Sequence, residues 1–165
     1  HEGGISTPLV MRWPHHMRGP DIYHQACHVV DIIPTLLEAA GMRYPAEMGG
    51  HALQDLDGES LLPLLAGKDW QREQPIFWEH EGNSAIRQGR WKLVRKHGRD
   101  WELYDMDADR TELDDLRLRN GDLANRLLQE YDGWADSVGV RDWNELQGVI
   151  ASAWGIEDQR EGPHK

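Results

Sequence analysis

A chain of 165 residues with a formal net charge of −11 is long enough for a packed core. It carries the wrong charge for a nucleic-acid surface, whose phosphates need clustered Lys and Arg. No apolar run approaches the roughly 18 residues of a membrane helix, and one cysteine, Cys27, excludes an internal disulfide or a multi-cysteine zinc site.

The chain opens on His1-Glu2-Gly3-Gly4 with no initiator methionine and no signal peptide, and is expected to be a piece of something longer. Leu9 to Trp13, apolar apart from Arg12 and ended by Pro14, predicts a mostly buried strand. A polar connection rich in Pro, Gly and His follows, His15 to Tyr23. Cys27, beside Ala26 and Val29, suits a small buried hydrophobe better than a nucleophile.

Val30, Ile33, Leu36, Leu37 and Ala40 fall at helical spacing and predict a helix over Val29 to Ala40. Asp31 sits in its first turn, where a carboxylate favours the dipole, and Gly41 stands at the position that ends it. Tyr44 to Asp57 reads as irregular, and Ser60 to Ala66 as a short helix stopped by Gly67, with Gly58 or Ser60 as its cap.

From Pro75 the period changes. Ile76 to Glu79, Ala85 to Arg87, Arg90 to Arg95 and Trp101 to Tyr104 are short strands punctuated by Gly82-Asn83, Gln88-Gly89 and His97-Gly98, the pattern of an antiparallel meander. Leu123, Leu127, Leu128, Tyr131 and Trp134 mark one face of an amphipathic helix. Trp143, Leu146, Val149, Ile150 and Trp154 suggest one more, before a frayed end from Glu157 to Lys165.

Phe77-Trp78-Glu79-His80-Glu81-Gly82-Asn83 places an imidazole, two carboxylates and an amide in a loop between two strands, where a rigid scaffold commonly carries binding groups. His80 and Asn83 are the main substrate-side candidates, because an imidazole and an amide can each donate and accept hydrogen bonds to a polar ligand. The competing role is structural, with Asn83 completing the turn in a left-handed conformation. Glu79 and Glu81 would be poor partners for an anionic ligand and are expected to point away or to pair with Arg. His1, at the head of the Gly-rich turn, is a weaker pocket candidate.

Other patterns carry less. His24 and His28 are four apart but lack the Glu of a zinc-helix motif. Asp105-x-Asp107-x-Asp109 begins like a calcium loop, yet Arg110 and Leu116 occupy the positions of its Gly and Glu; turn capping and pairing with Arg110 are expected instead. Of the eight tryptophans, Trp78, Trp91, Trp101 and Trp134 read as core. Trp70 and Trp143 lie near loops, where burial is again favoured over stacking on a ligand.

Taken together, His1-Glu2-Gly3-Gly4-Ile5-Ser6-Thr7-Pro8 with Trp13-Pro14, Val30-Asp31-Ile32-Ile33-Pro34-Thr35-Leu36-Leu37 with Ala40-Gly41, Asp57-Gly58-Glu59-Ser60-Leu61, Arg90-Trp91-Lys92-Leu93 and Glu102-Leu103-Tyr104-Asp105 resemble, in order, the later half of arylsulfatase-type, formylglycine-dependent sulfatases of the alkaline-phosphatase-like superfamily. The resemblance covers His1 to Trp134. It implies an α/β fragment, the end of an alkaline-phosphatase-like parallel-sheet domain, over residues 1–70. An α+β subdomain with a four-stranded antiparallel sheet and a packed C-terminal helix follows over 71–140, and a tail over 141–165.

The resemblance also implies hydrolysis of aryl or carbohydrate sulfate esters by a formylglycine hydrate, with calcium polarising the sulfate. None of those catalytic or metal residues falls in this chain: Cys27 is followed by His28 and Val29, and Ser6 by Thr7 and Pro8, so Cys/Ser-x-Pro-x-Arg has no counterpart. No catalytic or metal residue and no cofactor of its own is therefore expected here. Calcium and formylglycine belong to the full-length parent, and the fragment is expected to be inactive alone. Its expected partners are the missing N-terminal part of the same enzyme and a sulfate ester, with neither nucleic acid nor a membrane span. The family is mostly exported, which implies a periplasmic or secreted parent. The alternatives are a related phosphonate or phosphodiester hydrolase, and a non-catalytic carbohydrate-binding or structural module.

Overall fold

Residues 1–14, 16–17 and 21–154 are described by the computed structural model. They sort into a helical unit, Gly3–Ile76 with Gln88–Arg90, and a sheet unit of His1–Glu2, Phe77–Arg87 and the chain from Trp91 onward. The first element is a single turn, α1 (Glu2–Ile5).

In the helical unit, the segment with helical spacing begins as a 3-10 turn at Val29–Asp31 and continues as α2 (Ile32–Ala39). Pro34 falls in the first turn, where its missing N–H removes no intrahelical bond. Gly41, at φ 64°, closes the other end. Met42 N donates to Leu37 O at 2.8 Å and Gly41 N to Glu38 O at 3.0 Å, satisfying the last carbonyls in a Schellman arrangement.

Asp31 does more than favour a dipole. It is 0% exposed, and its carboxylate accepts from His28 N at 2.7 Å, Glu59 N at 2.9 Å and Arg72 Nη1 at 2.6 and 2.7 Å. Thr35 Oγ1 donates to Asp31 O at 2.6 Å and accepts from Leu61 N at 2.8 Å. Gly58 belongs to the same knot, since a Cβ there would lie 2.1 Å from Val30 O. Two sequence motifs, Val30 to Leu37 and Asp57 to Leu61, are therefore one structure. Glu59 extends it by accepting Gln74 N at 2.6 Å.

The irregular stretch contains β1 (Glu47–Met48) and β2 (His51–Ala52), joined by Gly49 and Gly50 at φ 62° and 81°. These two positive φ values fit a type I′ hairpin turn. Next comes α3 (Leu62–Leu65), shorter than its apolar pattern, with Ser60 Oγ accepting from Leu62 N at 3.2 Å. Leu61, Leu64, Leu65 and Trp70 form the core of this unit, with Met17 and Tyr23 against them.

One expected element is absent. Leu9 to Trp13 is not a strand and is not buried: Val10 is 89% exposed. An extended segment becomes a strand only when a neighbour takes its N–H and C=O groups, and no described residue is paired with it in a ladder. His15, Arg18, Gly19 and Pro20 of the polar connection, and the end from Glu157 to Lys165, lie outside the described residues.

The sheet unit follows the meander pattern closely. Strands β3 (Ile76–His80), β4 (Asn83–Gln88), β5 (Trp91–Arg95) and β6 (Glu102–Asp105) lie in that order in an antiparallel sheet. After it come α4 (Gly121–Val138) and α5 (Trp143–Trp154). Side chains alternate across a sheet, so Ile86, Leu93 and Leu103 face Ala124, Leu127 and Tyr131 of α4. Phe77 stacks on Trp134 at 4.9 Å, and Trp101 meets Tyr131 edge-on at 5.2 Å. Gly139, at φ 72°, ends α4.

Replacing Arg72 with Ala leaves the Asp31 carboxylate buried without its cation. The expected cost is about 3–5 kcal/mol, read as a lower urea midpoint by tryptophan fluorescence; an unchanged midpoint would show that the pair does not hold this unit.

Candidate functional site

The turn between β3 and β4 carries the two main candidates. Glu81 and Gly82 have φ of 54° and 77°, so the left-handed pair is Glu81-Gly82. Asn83, expected to take that conformation, instead opens β4. Its Nδ2 donates to His80 O at 2.8 Å and its Oδ1 accepts from His97 N at 3.1 Å. The amide thus ties the turn together and fastens it to the β5–β6 loop. Glu79 does likewise, Oε1 accepting from Gly82 N at 2.8 Å. His80, at the end of β3, is exposed. The structure separates the two candidates: Asn83 is committed to protein contacts, while His80 faces solvent.

Gly82 is fixed by packing as well as by φ. A Cβ there would sit 2.4 Å from His97 Nδ1 and 3.0 Å from Trp143 Cβ. His97 Nε2 in turn lies 3.2 Å from Asn144 Oδ1. Asp142 begins α5 by accepting from Asn144 N at 2.8 Å and Glu145 N at 3.3 Å. Those two backbone bonds lower the Asp142 pKa from the ordinary carboxylate value. Trp143 is half-buried here, and Trp70 is buried in the helical unit.

The second cluster lies on the sheet face away from α4. Arg87, Lys92, Glu102 and Tyr104 share that face by alternation, Lys92 opposite Tyr104 in register. The Lys92 side chain is 0% exposed, with Nζ 2.8 Å from Glu2 Oε2. Glu112 Oε1 lies 2.7 Å from Nζ as an ion pair not aligned as a hydrogen bond. Glu112 Oε2 accepts from Glu2 N at 2.9 Å and faces His1 Nδ1 at 2.9 Å. His1 Nε2 is 3.3 Å from Glu102 Oε2. Arg87 Nη1 and Arg110 Nη2 reach Glu2 Oε1 at 4.0 and 3.9 Å. Burial, and then Glu102, push the Tyr104 phenol far above its ordinary value.

His1 therefore meets a carboxylate at each ring nitrogen, an arrangement no sequence pattern announced. Lys92 was visible as part of the Arg90-Trp91-Lys92-Leu93 match but not as a buried cation, and Glu112 only as one acid among many. Arg110 faces Glu2, while Asp109 caps the following turn by accepting Leu113 N and Asp114 N at 2.7 and 2.9 Å. Among the described residues, no three His, Cys, Asp or Glu side chains converge to hold a metal ion. No described helix is long and apolar enough to cross a membrane.

Residues 1–130 match the family described as N-sulphoglucosamine sulphohydrolase, C-terminal. The chain belongs to this family. An uncharacterized sulfatase of Schizosaccharomyces pombe is 32% identical over 154 residues, 84% of this chain and 26% of that protein. The ulvan-active sulfatase of Formosa agariphila is 39% identical over 102 residues, 56% of this chain and 19% of that protein. The chain thus spans about a quarter or less of these relatives. The crystal structure of Ps i-CgsB superposes with a TM-score of 0.66 at 21% identity, covering 88% of this chain and 33% of that one. The same protein, solved with k-i-k-neocarrahexaose, superposes equally well. The likeness shows a shared fold, and the sulfatase-type C-terminal subdomain expected from the motifs is the one observed.

Gly82→Ala is expected to cost about 1–3 kcal/mol through strain at positive φ and the forced retreat of His97. The loss would appear as a lower melting temperature and a shifted His97 amide resonance. For Asp142 the folded value lies below the unfolded one. Its hold on α5 is thus complete above the ordinary Asp value and is lost as pH falls through the lowered one. Asp142→Asn should flatten this acid step in helix content, and an identical step in both proteins would assign it elsewhere.

Proposed function

We propose that this chain is the C-terminal part of a sulfatase that hydrolyses aryl or carbohydrate sulfate esters, and that it is inactive alone. The family match over residues 1–130 carries the reading. A carbohydrate ester is favoured because one relative is an ulvan-active sulfatase and a structural neighbour has been solved with k-i-k-neocarrahexaose.

On this reading the N-terminal part of the same protein supplies the nucleophile and metal ligands, and is the chain's main partner. Calcium and formylglycine, carried over by resemblance, would supply the polarising charge and the nucleophile there. Export to the periplasm or the medium belongs to the same proposal. The exposed apolar side chains of the helical unit support a missing neighbour: Val10, Val29, Ile33 and Leu36 are all open to solvent, more than a free-standing module would leave uncovered.

In this proposal His80 is the substrate-side residue. Its exposed ring donates to a sugar hydroxyl or a sulfate oxygen, Asn83 holds its turn, and Glu79 is kept off the anion by its bond to Gly82 N.

The test is hydrolysis of sulfated oligosaccharides by the longer protein, by the 165-residue chain and by the longer protein carrying His80→Ala. Turnover is expected only where the N-terminal part is present, with His80→Ala raising KM on the order of tenfold, the worth of one good polar contact. Turnover by the 165-residue chain would refute the proposal, and unchanged kinetics in His80→Ala would return His80 to a structural role.

A further inference from the structure

We infer that Glu112 is a positioning residue, acting through a proton-linked clamp that holds the His1 ring and the Glu2 amide. Its backbone lies at φ 58°, in the left-handed region that a side-chain-bearing residue rarely occupies. A strained conformation persists where the surroundings over-determine it. Here the determinants are three contacts of one carboxylate: Lys92 Nζ at 2.7 Å, Glu2 N at 2.9 Å and His1 Nδ1 at 2.9 Å.

The proton link follows from counting donors. A neutral imidazole has a single N–H, yet the two His1 nitrogens face Glu112 Oε2 at 2.9 Å and Glu102 Oε2 at 3.3 Å. With the ring neutral, one contact sets a lone pair against a carboxylate. With the ring doubly protonated, Nδ1 donates to Glu112 and Nε2 becomes the cationic partner of an ion pair with Glu102. The groups around the ring are Glu102 and Tyr104 of β6 and Glu112 of the following loop, with Glu2, Lys92, Arg87 and Arg110 behind them. Lys92, Arg87 and Arg110 are engaged with Glu2 or Glu112. Apart from the α-ammonium that His1 itself carries in the 165-residue chain, the nearest charges to the ring are two carboxylates, which favour its cation. The clamp is complete in acid and loosens as pH rises through the titration of His1.

What it positions is the start of the Glu2-Gly3-Gly4 turn. Its relevance to catalysis rests on the sulfatase reading above, whereas its existence does not. The first measurement is an NMR titration of the His1 ring in the 165-residue chain. Glu112→Gln should move the midpoint to lower pH by about one unit, the effect of an adjacent opposite charge. Glu102→Gln should move it in the same direction, and serves if the first variant does not fold. Midpoints unmoved in folded variants overturn the clamp.

The second measurement uses the longer protein. Glu112→Gln should lower kcat/KM for a sulfate ester on the order of tenfold, since small misplacements at a site are costly. It should also shift the alkaline limb of the pH profile to lower pH, which a general loss of stability would not do. An unshifted limb overturns the positioning role. Absence of turnover in the unsubstituted longer protein instead overturns the sulfatase reading, and the His1 titration still decides the clamp.

Discussion

An ammonium group shut off from water must be neutralised by its surroundings, and the side chain of Lys92 has no exposure at all. Its surroundings are the carboxylates of Glu2 and Glu112, both within 2.8 Å of Nζ. Removing either carboxylate from such an arrangement costs far more than a surface ion pair is worth, because the remaining charge stays buried. The face of the sheet away from α4 is built accordingly. Arg87 and Arg110 neutralise the outer oxygen of Glu2, and Glu102 takes the other side of His1. The left-handed backbone at Glu112 belongs to the same constraint, as the conformation that accompanies its carboxylate's contact with Lys92.

The helical unit uses the same device with the charges reversed. Asp31 is the buried ion, Arg72 is its cation, and backbone amides from His28 and Glu59 supply the remaining donors. A carboxylate that accepts so many bonds needs no second cation. In both units one buried charge gathers segments that are remote in sequence, and in both the polar knot sits beside a small apolar core.

What could be read from the residues was the part governed by local rules. The meander, α2 with its Gly41 stop, and the apolar face of α4 follow from periods of two and 3.6 and from glycine's freedom at positive φ. The turn at His80 was legible as a turn, although Glu81 took the left-handed place assigned to Asn83. Side-chain partners were not legible. Asp31 looked like a first-turn acid because Arg72 is 41 residues away, and nothing between them marks the pair. The Leu9 to Trp13 segment failed for a different reason. Its composition is that of a strand, but strand formation is a property of two segments and no described segment pairs with it.

The separation of Glu2 from its partners also has a consequence in time. Lys92 lies 90 residues and Glu112 110 residues along the chain from Glu2. A ribosome adding about 5–20 residues per second makes the Glu112 side chain some 5–20 seconds after Glu2. Until Lys92 is made the Glu2 carboxylate has no buried ammonium to bind, and until Glu112 is made the Glu2 amide has no carboxylate to cap it. The helical unit can close first, since Asp31 meets Arg72 much sooner. The sheet unit must wait for the loop after β6 before its first residues can settle.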